Sequence, residues 1–183
     1  MVAMDITQAS DVDLKILELQ LGRVPRGVLG IAARCACGAP LVVATAPRLD
    51  DGSPFPTLFY LTHPVAVKGC SVLESNQWME MLNEKLREDD ELAKAYADAH
   101  RDYIAKRDAI EKVDEISDFS AGGMPDRVKC LHALLGHSLA AGEGVNPIGD
   151  WTERKLAEEG LWERGKCSCA AGQTPADFEE ENE

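Results

Sequence analysis

The chain has 183 residues, of which 45% are hydrophobic and 5% aromatic, and its formal net charge is −13. That length fits one domain with an aliphatic, alanine-rich core, and the acidic balance argues against nucleic acid and anionic lipid as partners. No apolar run approaches the ~20 residues that span a bilayer. Residues 1–12 carry acids and no basic signal region, so we expect a cytoplasmic protein, without membrane insertion and with its six cysteines reduced.

Residues 1–10 show no pattern and are expected to be flexible. Residues 11–21 put Val12, Ile16 and Leu19 on one helical face, with Asp11 as the expected cap. The turn Gly22-Arg-Val-Pro-Arg-Gly27 leads into a strand at 28–34. The tight turn Cys35-Ala-Cys-Gly-Ala-Pro40 leads into a second strand at 41–46, and Asp51-Gly52 marks the loop before a third at 57–62. Short connections predict a three-stranded antiparallel meander. Helices are then expected at 65–75, 77–86, 90–113, 125–141 and 151–162. Gly122 and Gly123 sit in the loop before the fourth of these, and Pro125 opens it. Apolar spacing in 90–113 lacks a sustained heptad, as in a core helix. Beyond 165 the composition predicts a flexible acidic tail. The fold class is α+β: a small three-stranded antiparallel meander packed against four or five helices, in a single domain over 11–150 followed by a C-terminal helix at 151–165.

Cys35-x-Cys37-Gly38 lies at a predicted hairpin tip. Two thiolates so close can bind one metal or serve redox chemistry, and small buried cysteines would look the same. Strand directions bring the end of strand three, at His63, to the same end of the sheet as Cys35 and Cys37. Cys130, on the expected 125–141 helix, is the natural fourth ligand. His137 shares its face but lies roughly 10 Å along the axis, too far to share an ion, and His132 faces elsewhere. The sharpest metal set is therefore Cys35, Cys37, His63 and Cys130, holding zinc. With four protein ligands the site is structural; with water in the fourth place it is catalytic. Cys167-x-Cys169 repeats the spacing, but its setting points to exposed tail thiols. Cys70 is expected to pack and His100 to lie near the surface.

A second possibility is an anion site. Gly122 and Gly123 before a helix N-terminus, with Arg127 and Lys129, could hold a phosphate or carboxylate. The spacing is not that of a Walker loop. In an enzyme built there, Asp126 or His132 would move protons, and Cys130 or a metal-bound water would attack. The plainer alternative is that Asp126 caps its helix and Arg127 pairs with surface acids.

Several stretches resemble one family: Leu21-Gly-Arg-Val-Pro-Arg-Gly27, Arg34-Cys-Ala-Cys-Gly38, Thr45-Ala-Pro-Arg48, Pro54-Phe-Pro-Thr57 with Tyr60-Leu-Thr62, Ser120 through His132, and Asn146-Pro147. On these the chain resembles the DUF501 family of uncharacterised actinobacterial proteins, over roughly residues 15–150. The resemblance implies no established activity. Family members often carry cysteine where this chain has His63, an exchange that suits a metal ligand. Their genes often neighbour those for enolase, a septum-formation protein and an exopolyphosphatase, which implies a link to cell envelope or division. The expected function is a zinc-binding protein with an interaction or regulatory role and another protein as partner. The alternative is a hydrolase or transferase acting on a small anionic or phosphorylated substrate at the 122–132 segment. A thiol redox protein is a third class, but it lacks the Cys-x-x-Cys in a βαβ setting.

Overall fold

The computed structural model describes residues 4–178. Strands β1 (Val28–Arg34), β2 (Pro40–Thr45) and β3 (Phe59–Leu61) form an antiparallel sheet in the order β1-β2-β3. The β-branched centre of β2 is buried throughout, with Val43 paired to Ile31 on one side and Tyr60 on the other. Thr7 exchanges backbone hydrogen bonds with Ile31, so the segment expected to be flexible instead lines the outer edge of β1.

Helix α1 (Asp11–Leu21) matches its apolar spacing, but its cap is Ser10 rather than Asp11. The Ser10 hydroxyl accepts the Asp13 amide while the Asp13 carboxylate accepts that of Ser10, and Gly22 closes the helix at φ +68°. Leu17 of α1 packs on Ile31 and Val43, whereas Phe59 and Leu61 join the main core. That core is covered by α2 (Pro64–Ser75), α3 (Trp78–Glu88), α4 (Asp90–Asp108), α5 (Leu131–Ala141) and α6 (Pro147–Glu158). Asn146 caps α6 through the Gly149 amide, and Pro147 fills its first turn, so this helix starts four residues before the expected position.

Helix α5 is the centre of the molecule and buried nearly all round. Two glycines let it approach its neighbours. A Cβ at Gly136 would lie 3.0 Å from the Phe59 carbonyl of β3, and one at Gly149 of α6 would lie 2.3 Å from the Leu134 carbonyl. His137, fully buried in α5, stacks on Phe59 and meets the edge of Tyr103. Asn146 donates to its Nδ1 at 3.1 Å, which assigns the proton to Nε2 and directs it to Asp102 at 2.9 Å. His137 is thus a structural residue linking α4, α5 and the start of α6.

The largest departure from expectation is the start of α5, at Leu131 instead of Pro125. Neighbouring helices capture the backbone groups that an earlier start would need. The Asn83 side chain of α3 accepts the Val128 amide (2.8 Å) and donates to the Val128 carbonyl (3.0 Å). The Tyr96 hydroxyl of α4 donates to the Arg127 carbonyl, at 3.1 Å. Residues 125–130 are therefore a pinned loop.

Candidate metal centre

The turn between β1 and β2 is closed by its own backbone: Cys35 N–H donates to Ala39 O and Gly38 N–H to Cys35 O, both at 2.8 Å. Gly38 adopts φ +91°, a conformation that disfavours a side chain and folds the Cys-x-Cys pair onto one side. Arg34 braces the turn, donating to Gly38 O at 2.9 Å and to both carboxylate oxygens of Asp13. Ile16 of α1 packs beneath Cys35 and Ala39.

The second half of the centre comes from the C-terminal segment. Residues 166–178 return across the molecule and end in a 3-10 turn, Pro175–Phe178, against α1. Phe178 and Cys169 join Cys37 around the Ile16 cluster, and the Lys15 ammonium sits over the Phe178 ring. This return corrects the expectation of a loose tail as far as residue 178; residues 179–183 lie outside the described ones.

The result is a cluster of four cysteines, Cys35, Cys37, Cys167 and Cys169, whose sulfurs all lie within 4.8 Å of one another. Cys35 is buried, Cys37 and Cys169 are half-buried and Cys167 is exposed. Cys37 and Cys169 are 3.6 Å apart, and Cys169 and Cys35 are 3.8 Å apart. Disulfide sulfurs would be ~2.0 Å apart. Four sulfurs held ~2.3 Å from one zinc ion lie about 3.8 Å apart on a tetrahedron. The cluster could hold a metal ion.

Its electrostatics point the same way. Burial, then the neighbouring cysteines, push the Cys169 thiol up, and burial likewise raises Cys37. The hydrogen-bond partners of Cys37 and Cys169 are sulfurs and His63 rather than cations, while Arg34 is engaged by Asp13. A divalent ion would supply the missing positive charge.

His63 reaches the centre as the strand directions predict. Its ring is fully buried, with Nε2 3.2 Å from Cys169 Sγ and Nδ1 without a hydrogen-bond partner. Burial holds its pKa below the usual value. With a metal on the cysteines, a neutral ring carrying its proton on Nε2 would donate to the Cys169 thiolate, as residues supporting a metal ligand do.

Cys130 does not join this centre, which corrects the predicted ligand set. It precedes the first residue of α5, where it groups with Glu74 of α2 and His132. The anion-site geometry also changes. Gly122 and Gly123 keep left-handed backbones, and their carbonyls accept the amides of Lys129 and Arg127. The expected helix terminus does not follow them. Where α5 does begin, the Glu74 carboxylate accepts the Leu131 amide at 2.7 Å, so an internal anion already stands there. Arg127, Lys129 and Asp126 are exposed.

Sequence comparison supplies the family. The profile described as protein of unknown function (DUF501) matches residues 31–154. The chain belongs to the DUF501 family. No curated protein and no solved structure matches it. The DUF501 match takes in Cys35, Cys37 and His63 but stops short of Cys167 and Cys169. Half of the four-cysteine cluster thus lies outside the family-defining stretch. The signal for it in the sequence was the repeated Cys-x-Cys spacing. Among the described residues, no helix is long and apolar enough to cross a membrane.

Proposed function

We propose that the protein is a zinc-binding protein in which one ion, held by Cys35, Cys37, Cys167 and Cys169, fastens the C-terminal segment to the β1–β2 turn. The observation that carries this is the match between the sulfur separations, 3.6 and 3.8 Å, and the edge of a zinc–thiolate tetrahedron. Four thiolates are a soft, tetrahedral donor set that favours zinc over magnesium or calcium. They also leave no place for water, which supports a structural ion and an interaction or regulatory role over catalysis at the metal. His63 stands behind Cys169 as its hydrogen-bond donor.

The test is the metal content of the purified full chain. The expected result is about one zinc per chain, lost on Cys35→Ser and on Cys167→Ser but retained on Cys130→Ser. Replacement by cobalt should give the absorption of a tetrahedral thiolate complex. Protein without zinc, unable to take up cobalt under reducing conditions, would overturn the proposal. Loss of the ion on Cys130→Ser alone would place the metal at the start of α5 instead.

A further inference from the structure

Glu74, Cys130 and His132 form a cluster of a different kind. Glu74 Oε1 faces His132 Nδ1 at 3.1 Å. Across the ring, His132 Nε2 faces the Val67 carbonyl at 3.0 Å and Ser71 Oγ at 3.2 Å, while the Ser71 hydroxyl donates to Val67 O. Both ring nitrogens therefore point at oxygen acceptors. Only the doubly protonated imidazolium donates to both, and such a ring has no lone pair for a metal. Cys130 Sγ lies 3.8 Å from the same Nδ1. It belongs to the N-cap residue of the eleven-residue helix α5, whose Leu131 amide is already taken by Glu74, so its charge partner is the His132 ring.

The titrating neighbours are consistent with a charged pair. Bonds to Cys130 and then Glu74 push His132 up to about 10. The Cys130 thiol is lowered: burial and the Glu74 charge oppose ionisation, but His132 and the Ala133 amide outweigh them. Glu74 is lowered too, since its bonds to His132 and the Leu131 amide overcome burial. Cys70 of α2 and Tyr96 of α4 also interact with the Cys130 charge, and burial pushes both upward.

Beside this pair lies a cleft of about 300 Å³, lined by Phe59, Tyr60, Leu61, Val67 and Ala133 together with Cys130 and His132. Its walls are largely apolar, and its volume is at the lower end of the range for small-molecule sites.

We propose that Cys130 is a nucleophilic thiolate, paired with the His132 imidazolium and positioned through Glu74, that accepts a short apolar acyl group from an ester or thioester bound in this cleft. Cys130 Sγ attacks the acyl carbonyl carbon and forms an S–C bond. The bond to the alkoxide or thiolate leaving group breaks, and that group departs as alcohol or thiol with the Nδ1 proton of His132. The acylated Cys130 and a neutral His132 remain. Water can then release the carboxylic acid, giving its proton to His132 and restoring the thiolate.

The experiment uses the zinc-loaded full chain, p-nitrophenyl butyrate as acyl donor and iodoacetamide as thiol probe, with the modified peptide identified by mass spectrometry. The expected result is a butyryl adduct on Cys130, absent in Cys130→Ala. Alkylation of Cys130 should slow less between pH 8 and pH 6 than that of an ordinary thiol, which slows about tenfold per pH unit over that interval. His132→Gln should restore the ordinary slope. An ordinary slope in the wild-type chain overturns the thiolate, whatever the folding of the variant. Acylation confined to other cysteines overturns the cleft as acyl site. A second zinc equivalent, lost on Cys130→Ala, overturns the imidazolium assignment and makes the cluster a metal site.

Discussion

Two sulfur clusters in this molecule use similar residue types and call for opposite chemistry. At the β1–β2 turn, four thiols converge and the nearest histidine is neutral by burial. At the start of α5, a single thiol meets a histidine whose ring is flanked by a carboxylate and a carbonyl. The first cluster accumulates groups that become anions, and among the described residues none of their hydrogen-bond partners is a cation, so it suits a metal cation. The second contains its own cation and suits a reactive thiolate. Whether a cysteine group is a metal site depends less on the cysteines than on the protonation state forced upon the histidine beside them.

The severest challenge to this contrast is metal removal. Apparent zinc-binding energies in small structural sites are of order 10 kcal/mol, and in the proposed site that energy would be coupled to docking of residues 166–178. A chelator should release that segment, read as fast amide exchange and proteolysis beyond residue 165. The Glu74–His132 hydrogen bonds and the α5 amides should stay protected. Loss of protection in α5 to the same degree would show that the two regions are not separate.

The reverse perturbation is Glu74→Ala. It removes the acceptor for the Leu131 amide and the carboxylate partner of His132. We expect a loss of about 3 kcal/mol in chemical denaturation, with zinc retained. Released zinc would contradict the independence of the clusters.

His132→Gln should cost about 2 kcal/mol at pH 6. The folded pKa of His132 is raised to about 10, above its ordinary 6.5. The stabilisation from protonating it is therefore full below about pH 6.5 and disappears as pH rises through about 10. The gap between wild type and variant should narrow over that window. A gap that widens with pH would mean that the ring is neutral in the folded protein, and the second cluster would then resemble the first.

The smallest effect is expected from His63→Gln, about a tenfold loss of zinc affinity with the ion still bound, measured by competition with a chelating dye. Complete loss of the metal would promote His63 from hydrogen-bond donor to ligand and restore the histidine-containing set expected from the strand directions.

Much of the fold was legible because it is local. Apolar alternation, the Asp51-Gly52 turn and helical spacing located the three strands and most helices within a few residues. The position of His63 followed from the antiparallel directions alone. The start of α5 did not, because Asn83 and Tyr96 take over the backbone of 127–128 from distant helices. Pro125 after two glycines is a sound local signal for a helix start, and tertiary hydrogen bonds override it. Cys167 and Cys169 were visible as a repeated spacing, but their acidic setting resembles an unstructured tail unless Phe178 and α1 are known to dock.

By itself the sequence determined the α+β class, the meander and the pairing of Cys35 with Cys37, since these depend on side-chain periodicity and on residues one apart. Only the tertiary structure decided which sulfurs meet them. It brought a segment more than 130 residues away to the turn and carried Cys130 off to Glu74 and His132. The physical reason is that ligand sets and protonation states arise from distances of a few ångströms between remote parts of the chain, and such distances are set by packing rather than by local spacing.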